Sequence, residues 1–376
     1  MPVRATKRGA LRTPLNGAWD VLVCGASFAG LAVARALSGS GARVLVIDRY
    51  EIGERRTSAC ATPTQWLTNL GLDASIRQTF GELVIHTPRR TFRWPLPWTF
   101  STFDYAQLCA LLWAQCDATF ETAKVDGRTG DVVHTDRGEL GAPLIVDALG
   151  WRRALSGTTS IQPPDARLSR GLEVHPRGRR DDLELWLDHR YVRAGYSWSF
   201  PAGAEARVGV GSFDPRDHVR EPTVRLAADL GLPAEGFEGN WIPHQMRDGV
   251  EDGVFFAGDS AGHCFPATAE GIRTALYFGL ACGRELRAVV DDRQTRDRAL
   301  ARYGAFCDAH RRRFDWMLRI QTLASAINRT PLVTPVIAAL GAQRFVDWAF
   351  GAYLRTASPE FALGGPAARV AAAVAA

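Results

Sequence analysis

The chain is almost without lysine: Lys7 and Lys124 are the only two, so nearly all of its positive charge is guanidinium. It has no run of eighteen apolar residues, and no membrane-spanning helix is expected. The basic start (Arg4, Lys7, Arg8, Arg12) is followed by no apolar stretch, which excludes a secretory signal and reads as a disordered arm over residues 1–16. Its cysteines (24, 60, 109, 116, 264, 282 and 307) are scattered and odd in number, with no Cys-x-x-Cys pair. That pattern excludes zinc and iron–sulfur sites, leaves no metal site to expect, and points to a reduced, cytoplasmic compartment. The net charge of +5 is modest and no nucleic-acid motif accompanies it. Internal repeats are absent, and only the Ala-rich tail from Gly364 has low complexity.

Two segments far apart in the chain carry most of the information. Val21 to Cys24 reads as a buried parallel strand and Leu31 to Leu37 as the helix after it. Between them lies Gly25-x-Ser27-x-x-Gly30, a dinucleotide fingerprint whose middle glycine is serine. Gly25 permits the tight turn, Gly30 permits close helix–strand packing, and the helix N-terminus attracts a pyrophosphate. Asp48 ends the next strand, roughly 20 residues on, where an acid accepts hydrogen bonds from a ribose; Arg49 follows it at the same edge. Downstream, Val254 to Ala257 is a second apolar run ending in Gly258-Asp259, and a helix begins near Glu270-Gly271-Ile272. An aspartate there suits the ribityl hydroxyls of FAD, and a helix N-terminus at Gly271 and Ile272 suits the flavin ring.

The stretch Gly258-Asp-Ser-Ala-Gly262, with Pro266-x-Thr268-x-Glu270-Gly271-Ile272, resembles the geranylgeranyl reductase family. So does Tyr196-x-Trp198-x-Phe200-Pro201 before Val208-Gly209-Val210-Gly211, with Ile242-Pro243 following. The resemblance covers roughly residues 17–290 and implies a glutathione-reductase-type FAD fold, similar to that of p-hydroxybenzoate hydroxylase. The expected architecture is therefore α/β: a Rossmann-like FAD-binding domain, an antiparallel-sheet substrate domain and a C-terminal helical region. The FAD domain is expected to draw on residues 17–80, 104–160 and 250–292. The substrate domain takes 81–103 and 161–249, and the helical region 293–376. The sequence departs from the family at Ala269, where glycine is usual, at Tyr105, where related proteins place an arginine on FAD, and at Asp147-Ala-Leu149-Gly150. Within these bounds, antiparallel segments are read at 82–86, 90–94 and 98–103, interrupted by Trp94-Pro-Leu-Pro97-Trp98. Breaks in the C-terminal helices are read at Pro331, Pro335 and Gly341.

The resemblance implies reduction of isolated C=C bonds in isoprenoid chains; the sequence leaves the electron donor open between transiently bound NAD(P)H and a ferredoxin-like protein. No second glycine fingerprint marks a separate NAD(P)H domain. An unpolarised double bond needs hydride on one carbon, a proton on the other, and a dry apolar slot. Tyr196, Trp198 and Phe200 alternate on one strand and so share a face that suits such a slot or the core of the sheet; Trp94 and Trp98 are further candidates. Cys60 falls where family members carry a cysteine thought to serve the active site, and otherwise reads as a small buried hydrophobe. His263 is placed to act as an acid or as a structural histidine. Dense apolar positions in 332–354 read as a helical cap on the substrate domain, or as a groove lining or membrane-resting surface for a lipid, which leaves a peripheral contact at the inner face of the membrane open. The competing readings are an FAD-dependent monooxygenase of a small hydrophobic substrate and a flavin-binding protein that has lost turnover. Halogenase chemistry would need a lysine that neither Lys7 nor Lys124 supplies.

Overall fold

A computed structural model of the protein describes residues 13–56, 59–157, 168–328 and 330–364. Most of the basic arm (Arg4, Lys7, Arg8, Arg12) and the Ala-rich tail beyond Gly364 lie outside the described residues. Residues 13–16, expected to be disordered, are instead held in place. Arg137 donates from Nε to the Thr13 carbonyl, and Asn16 Oδ1 accepts from the Glu139 amide.

The central sheet has six strands in the order Val250–Glu251, Val254–Phe256, Leu144–Asp147, Val21–Cys24, Val44–Asp48 and Thr119–Thr122. All neighbours are parallel except the first pair. Its middle strands are apolar at almost every position because both faces are covered. The helices Phe28–Leu37 and Ile272–Val290 lie together over one face. A Cβ on Gly279 would stand 2.6 Å from the Ala29 carbonyl oxygen, and one on Gly283 2.6 Å from Ala36 Cβ. Small residues on both helices therefore set the close approach that brings their N-termini to one place. Across the sheet, a four-stranded layer runs Gly17–Ala18, Gly138–Gly141, Val132–Thr135 and Val125–Thr129.

The second large sheet has eight strands, in the order Glu238–Pro243, Leu168–Val174, Glu205–Ser212, Gly195–Ala202, Glu184–Trp186, Ile76–His86, Thr91–Phe103 and Ala61–Pro63. It is antiparallel apart from Glu184–Trp186 beside Ile76–His86. Val208 and Val210 face the helix Arg220–Asp229, while Gly209 and Gly211 face the Trp198 ring on the other side. Pro95 and Pro97, expected to interrupt the pairing, lie inside the continuous strand Thr91–Phe103. Its ladder with Ile76–His86 skips from Pro95 to Phe100, so the strand stays extended while Leu96 to Thr99 bulge out of that ladder. The chain ends in the helices Arg296–Asn328, Val333–Leu340 and Gln343–Arg355. Pro335 does not break the second of these. It occupies the first turn, where an N–H would have no intrahelical acceptor.

Candidate active site

One cavity of about 1020 Å³ runs from the turn after Val21–Cys24 to the face of the eight-stranded sheet. At its polar end the N-terminus of Phe28–Leu37 lines the wall through Ala26, Ser27, Phe28 and Ala29. A Cβ on Gly25 would stand 2.2 Å from the Ala148 carbonyl oxygen, and one on Gly30 1.8 Å from that of Gly25. Both glycines thus hold the turn from behind rather than lining the cavity. Asp48 accepts from the Ala26 amide at 2.9 Å and the Tyr50 amide at 3.1 Å, bracing this turn while also lining the cavity. Burial pushes its carboxyl up, and those amide bonds oppose the shift. Arg49 lines the wall beside it, its guanidinium 5.0 Å from the Tyr50 ring centre. The Tyr105 hydroxyl, standing where related proteins carry arginine, donates to Ser27 Oγ at 3.1 Å.

The downstream motif forms the middle of the wall. Gly258 has φ +69°, and Asp259 follows it at the cavity with no hydrogen bond to its carboxylate among the described residues. Burial pushes the Asp259 carboxyl up to about 6, against the pull of Arg247. Arg247 itself is pushed down to about 10 by burial and donates to the backbone carbonyls of Trp151 and Asp259. Gly271 caps Ile272–Val290 and has no side chain to block the helix N-terminus. Ala269 adopts φ +51°, which explains glycine at this place in the family pattern and leaves the alanine strained.

These features fit FAD. An unpartnered carboxylate faces the cavity at Asp259, two helix N-termini converge on it, and the glycines keep side chains out of the cradle. Ser27, Asp48, Arg49, Gly258, Asp259, Gly271 and Ile272 all lie on its wall. Asp147 does not line it: its carboxylate accepts from Ser260 Oγ and the Leu149 and Leu155 amides, tying strand ends together.

The apolar end is floored by Tyr196, Trp198 and Phe200, all on the cavity wall. The Trp198 indole lies over two glycines. A Cβ on Gly209 would reach within 2.3 Å of its Cζ2, and one on Gly211 within 3.3 Å of its Cζ3. The two glycines of the Val-Gly-x-Gly strand thus leave room for this ring, whose Nε1 donates to Glu173 Oε2 at 3.1 Å. The Tyr196 hydroxyl donates to the Thr268 carbonyl at 2.5 Å. Trp94 and Trp98 also line the slot, packed edge-on against Phe350 of the last helix.

Two sequence candidates lie elsewhere. Cys60 is fully buried in the core beneath the central sheet and is not on the cavity wall; burial pushes its thiol up. His263 is likewise buried and off the wall, stacked 3.7 Å from the Phe278 ring, and burial drives its imidazole to the neutral form. The cysteine on the wall is Cys264, near the Gly271 cap. Burial, with Asp259 and Glu270 nearby, holds its thiol protonated.

The C-terminal cap anticipated over 332–354 is fastened by contacts that no sequence pattern disclosed. Arg273 is fully buried and bidentate to Glu270 at 2.9 Å, and its Nη1 donates to the carbonyls of Tyr353, Leu354 and Ala357. Tyr353 donates to Glu270 and lies 2.8 Å from Thr268 Oγ1. The Glu270-Gly271-Ile272 motif is thereby a latch for the final helix.

No protein-family model matches the chain. It is 23% identical over 331 residues to digeranylgeranylglycerophospholipid reductase 3 of Methanosphaera stadtmanae, an alignment covering 77% of this chain and 83% of the relative. A geranylgeranyl bacteriochlorophyll reductase-like protein of Thermoplasma acidophilum superposes with a TM-score of 0.68 at 16% identity, over 88% of this chain and 97% of its own. PqsL of Pseudomonas aeruginosa, a candidate FAD-dependent monooxygenase, superposes with a TM-score of 0.64 at 19% identity, over 89% and 100%. The two solved structures establish the fold that the relatives share. The sequence match over most of its length shows the chain to be similar to reductases of the geranylgeranyl reductase family.

Proposed function

We propose that the protein reduces C=C bonds of an isoprenoid or other lipophilic chain, using FAD that is reduced in turn by NAD(P)H or a ferredoxin-like protein. The observation that carries this reading is the continuity of the cavity, which joins a dinucleotide cradle to an aromatic slot without an intervening wall. When bound, the reduced flavin supplies hydride. The chain's own residues do the rest. Ser27, Asp48, Arg49 and Asp259 hold the nucleotide, and the N-terminus of Ile272–Val290 favours negative charge beside it. Trp198, flat on its glycine bed, forms a rigid floor, and Phe350, Trp94 and Trp98 exclude water from the slot. Cys264 Sγ, the thiol on the wall, would pass its proton to the alkene carbon that does not take the hydride and regain one from solvent before the next turnover. Cys60 and His263 have no contact with this cavity and take no part in the step.

The test is anaerobic. Photoreduced protein is mixed with a geranylgeranyl lipid and the flavin absorbance is followed. Reoxidation with a gain of two hydrogens on the lipid is the expected result. Reoxidation only when oxygen enters would replace the reductase by a monooxygenase, and a flavin that turns over under neither condition would make this a binding protein.

A further inference from the structure

The helix Arg296–Asn328 carries an exposed face that nothing among the described residues covers. Trp316 is 62% exposed, Ile320 42% and Leu323 61%. Their spacing of four and three residues sets them in one stripe, and Arg312 and Arg319 fall on the same side. The helix Gln343–Arg355 repeats the arrangement: Trp348 is 65% exposed, with Arg344 four residues before it and Arg355 seven after. Phe345 and Trp348 meet at 5.6 Å. Arg312, Arg319, Arg344 and Arg355 are exposed and have no carboxylate partner among the described residues. Between 312 and 355 the sequence has six arginines and two aspartates. Both helices also reach the cavity, through Ile320 and Ala324 from one and Phe350 and Tyr353 from the other. Ile320 belongs to the cavity wall and to the exposed stripe at once.

The geometry points to a docking face for an anionic lipid bilayer, with the apolar end of the cavity opening at its edge. Tryptophan interleaved with arginine suits the headgroup boundary, where the indole is half buried and the guanidinium meets phosphate. A second copy of the chain fits less well, because a two-fold contact through this face would set its unpaired arginines against their own equivalents. The inference rests on the reading of the substrate as a lipophilic chain. A prenyl lipid would then slide its tail from the bilayer into the slot while its headgroup stays outside, so the chain never crosses water.

The test uses the full, FAD-loaded protein with vesicles of phosphatidylcholine alone or mixed with phosphatidylglycerol. Wild type is expected to sediment with the anionic vesicles, to bind the neutral ones more weakly, and to release in high salt. Leu323→Glu and Trp348→Glu should each weaken sedimentation by about tenfold, since each removes one buried apolar side chain from the contact. Both variants should keep the flavin spectrum and the turnover of a detergent-dispersed prenyl substrate, because neither residue lines the cavity. Equal sedimentation of wild type and variants would overturn the proposal. So would a wild type that ignores anionic vesicles, or a dimer in analytical ultracentrifugation that Leu323→Glu dissociates. Vesicle binding without ene-reduction would leave the docking face standing and sink the reductase; ene-reduction without vesicle binding would do the reverse.

Discussion

Replacing Asp259 by asparagine should move two measurements in opposite directions. In the flavin-free protein the carboxylate lines the cavity, accepts no hydrogen bond among the described residues, and is pushed up to about 6 by burial. A carboxyl raised in the folded state favours its protonated form there. Folding stability is therefore lost as pH climbs from about 4 through about 6, and the penalty is fully present above that range. Two pKa units correspond to about 3 kcal/mol at neutral pH. Asp259→Asn removes the charge with little change of shape, so flavin-free variant at pH 7 should melt about 3–6 °C higher than wild type, and the gain should vanish near pH 4. FAD binding should respond oppositely. Ribityl hydroxyls donating to a carboxylate are charge-assisted hydrogen bonds, each worth about 1.5–3 kcal/mol, so the variant should bind FAD roughly ten- to a hundredfold more weakly. Differential scanning calorimetry of the apo-protein at several pH values and fluorescence titration with FAD give both numbers. A variant that melts lower than wild type at pH 7, or that binds FAD equally well, would refute the assignment of Asp259 as an unpartnered acid awaiting hydroxyl donors.

Other outcomes follow from the same geometry. Gly209→Ala drives a methyl into the Trp198 ring and should destabilise the protein by about 1–3 kcal/mol, seen in the thermal transition and in a shifted tryptophan emission. Ala269→Gly relieves a left-handed backbone and should stabilise by about 1 kcal/mol with flavin binding unchanged; destabilisation would mean that the φ of +51° carries no strain. Cys264→Ala should lower the rate of lipid reduction by about a hundredfold or more with little change in KM, and Cys60→Ala should leave it unaltered. The reverse ranking in single-turnover kinetics would restore Cys60 to the chemistry.

Which features the sequence disclosed follows from how local each one is. The turn at Gly25 to Gly30, the aspartates at the ends of two apolar strands and the aromatic alternation of Tyr196, Trp198 and Phe200 are set by neighbours a few residues apart. Backbone periodicity therefore writes them into the chain. The pairing of the two motifs was legible only as a juxtaposition of patterns; what makes it physical is Gly279 and Gly283 against Ala29 and Ala36, a contact between helices some 240 residues apart. Cys60 and His263 lie off the cavity wall for the same kind of reason. A motif places a residue along the chain, while access to the cavity depends on which way the loop turns. At Cys60 that turn buries the thiol in the core, and at His263 it presses the ring onto Phe278. Glu270 resembled part of a cofactor signature, and only the folded chain shows it clasping Arg273 and Tyr353 to shut the final helix over the slot. The class of fold and the turns that line the polar end of the cavity were thus legible in the chain, because they depend on short-range stereochemistry. The tertiary structure alone decided which thiol meets the cavity, what lies under Trp198 and how the C-terminal helices close the site, because burial and hydrogen bonding there join residues the chain holds far apart.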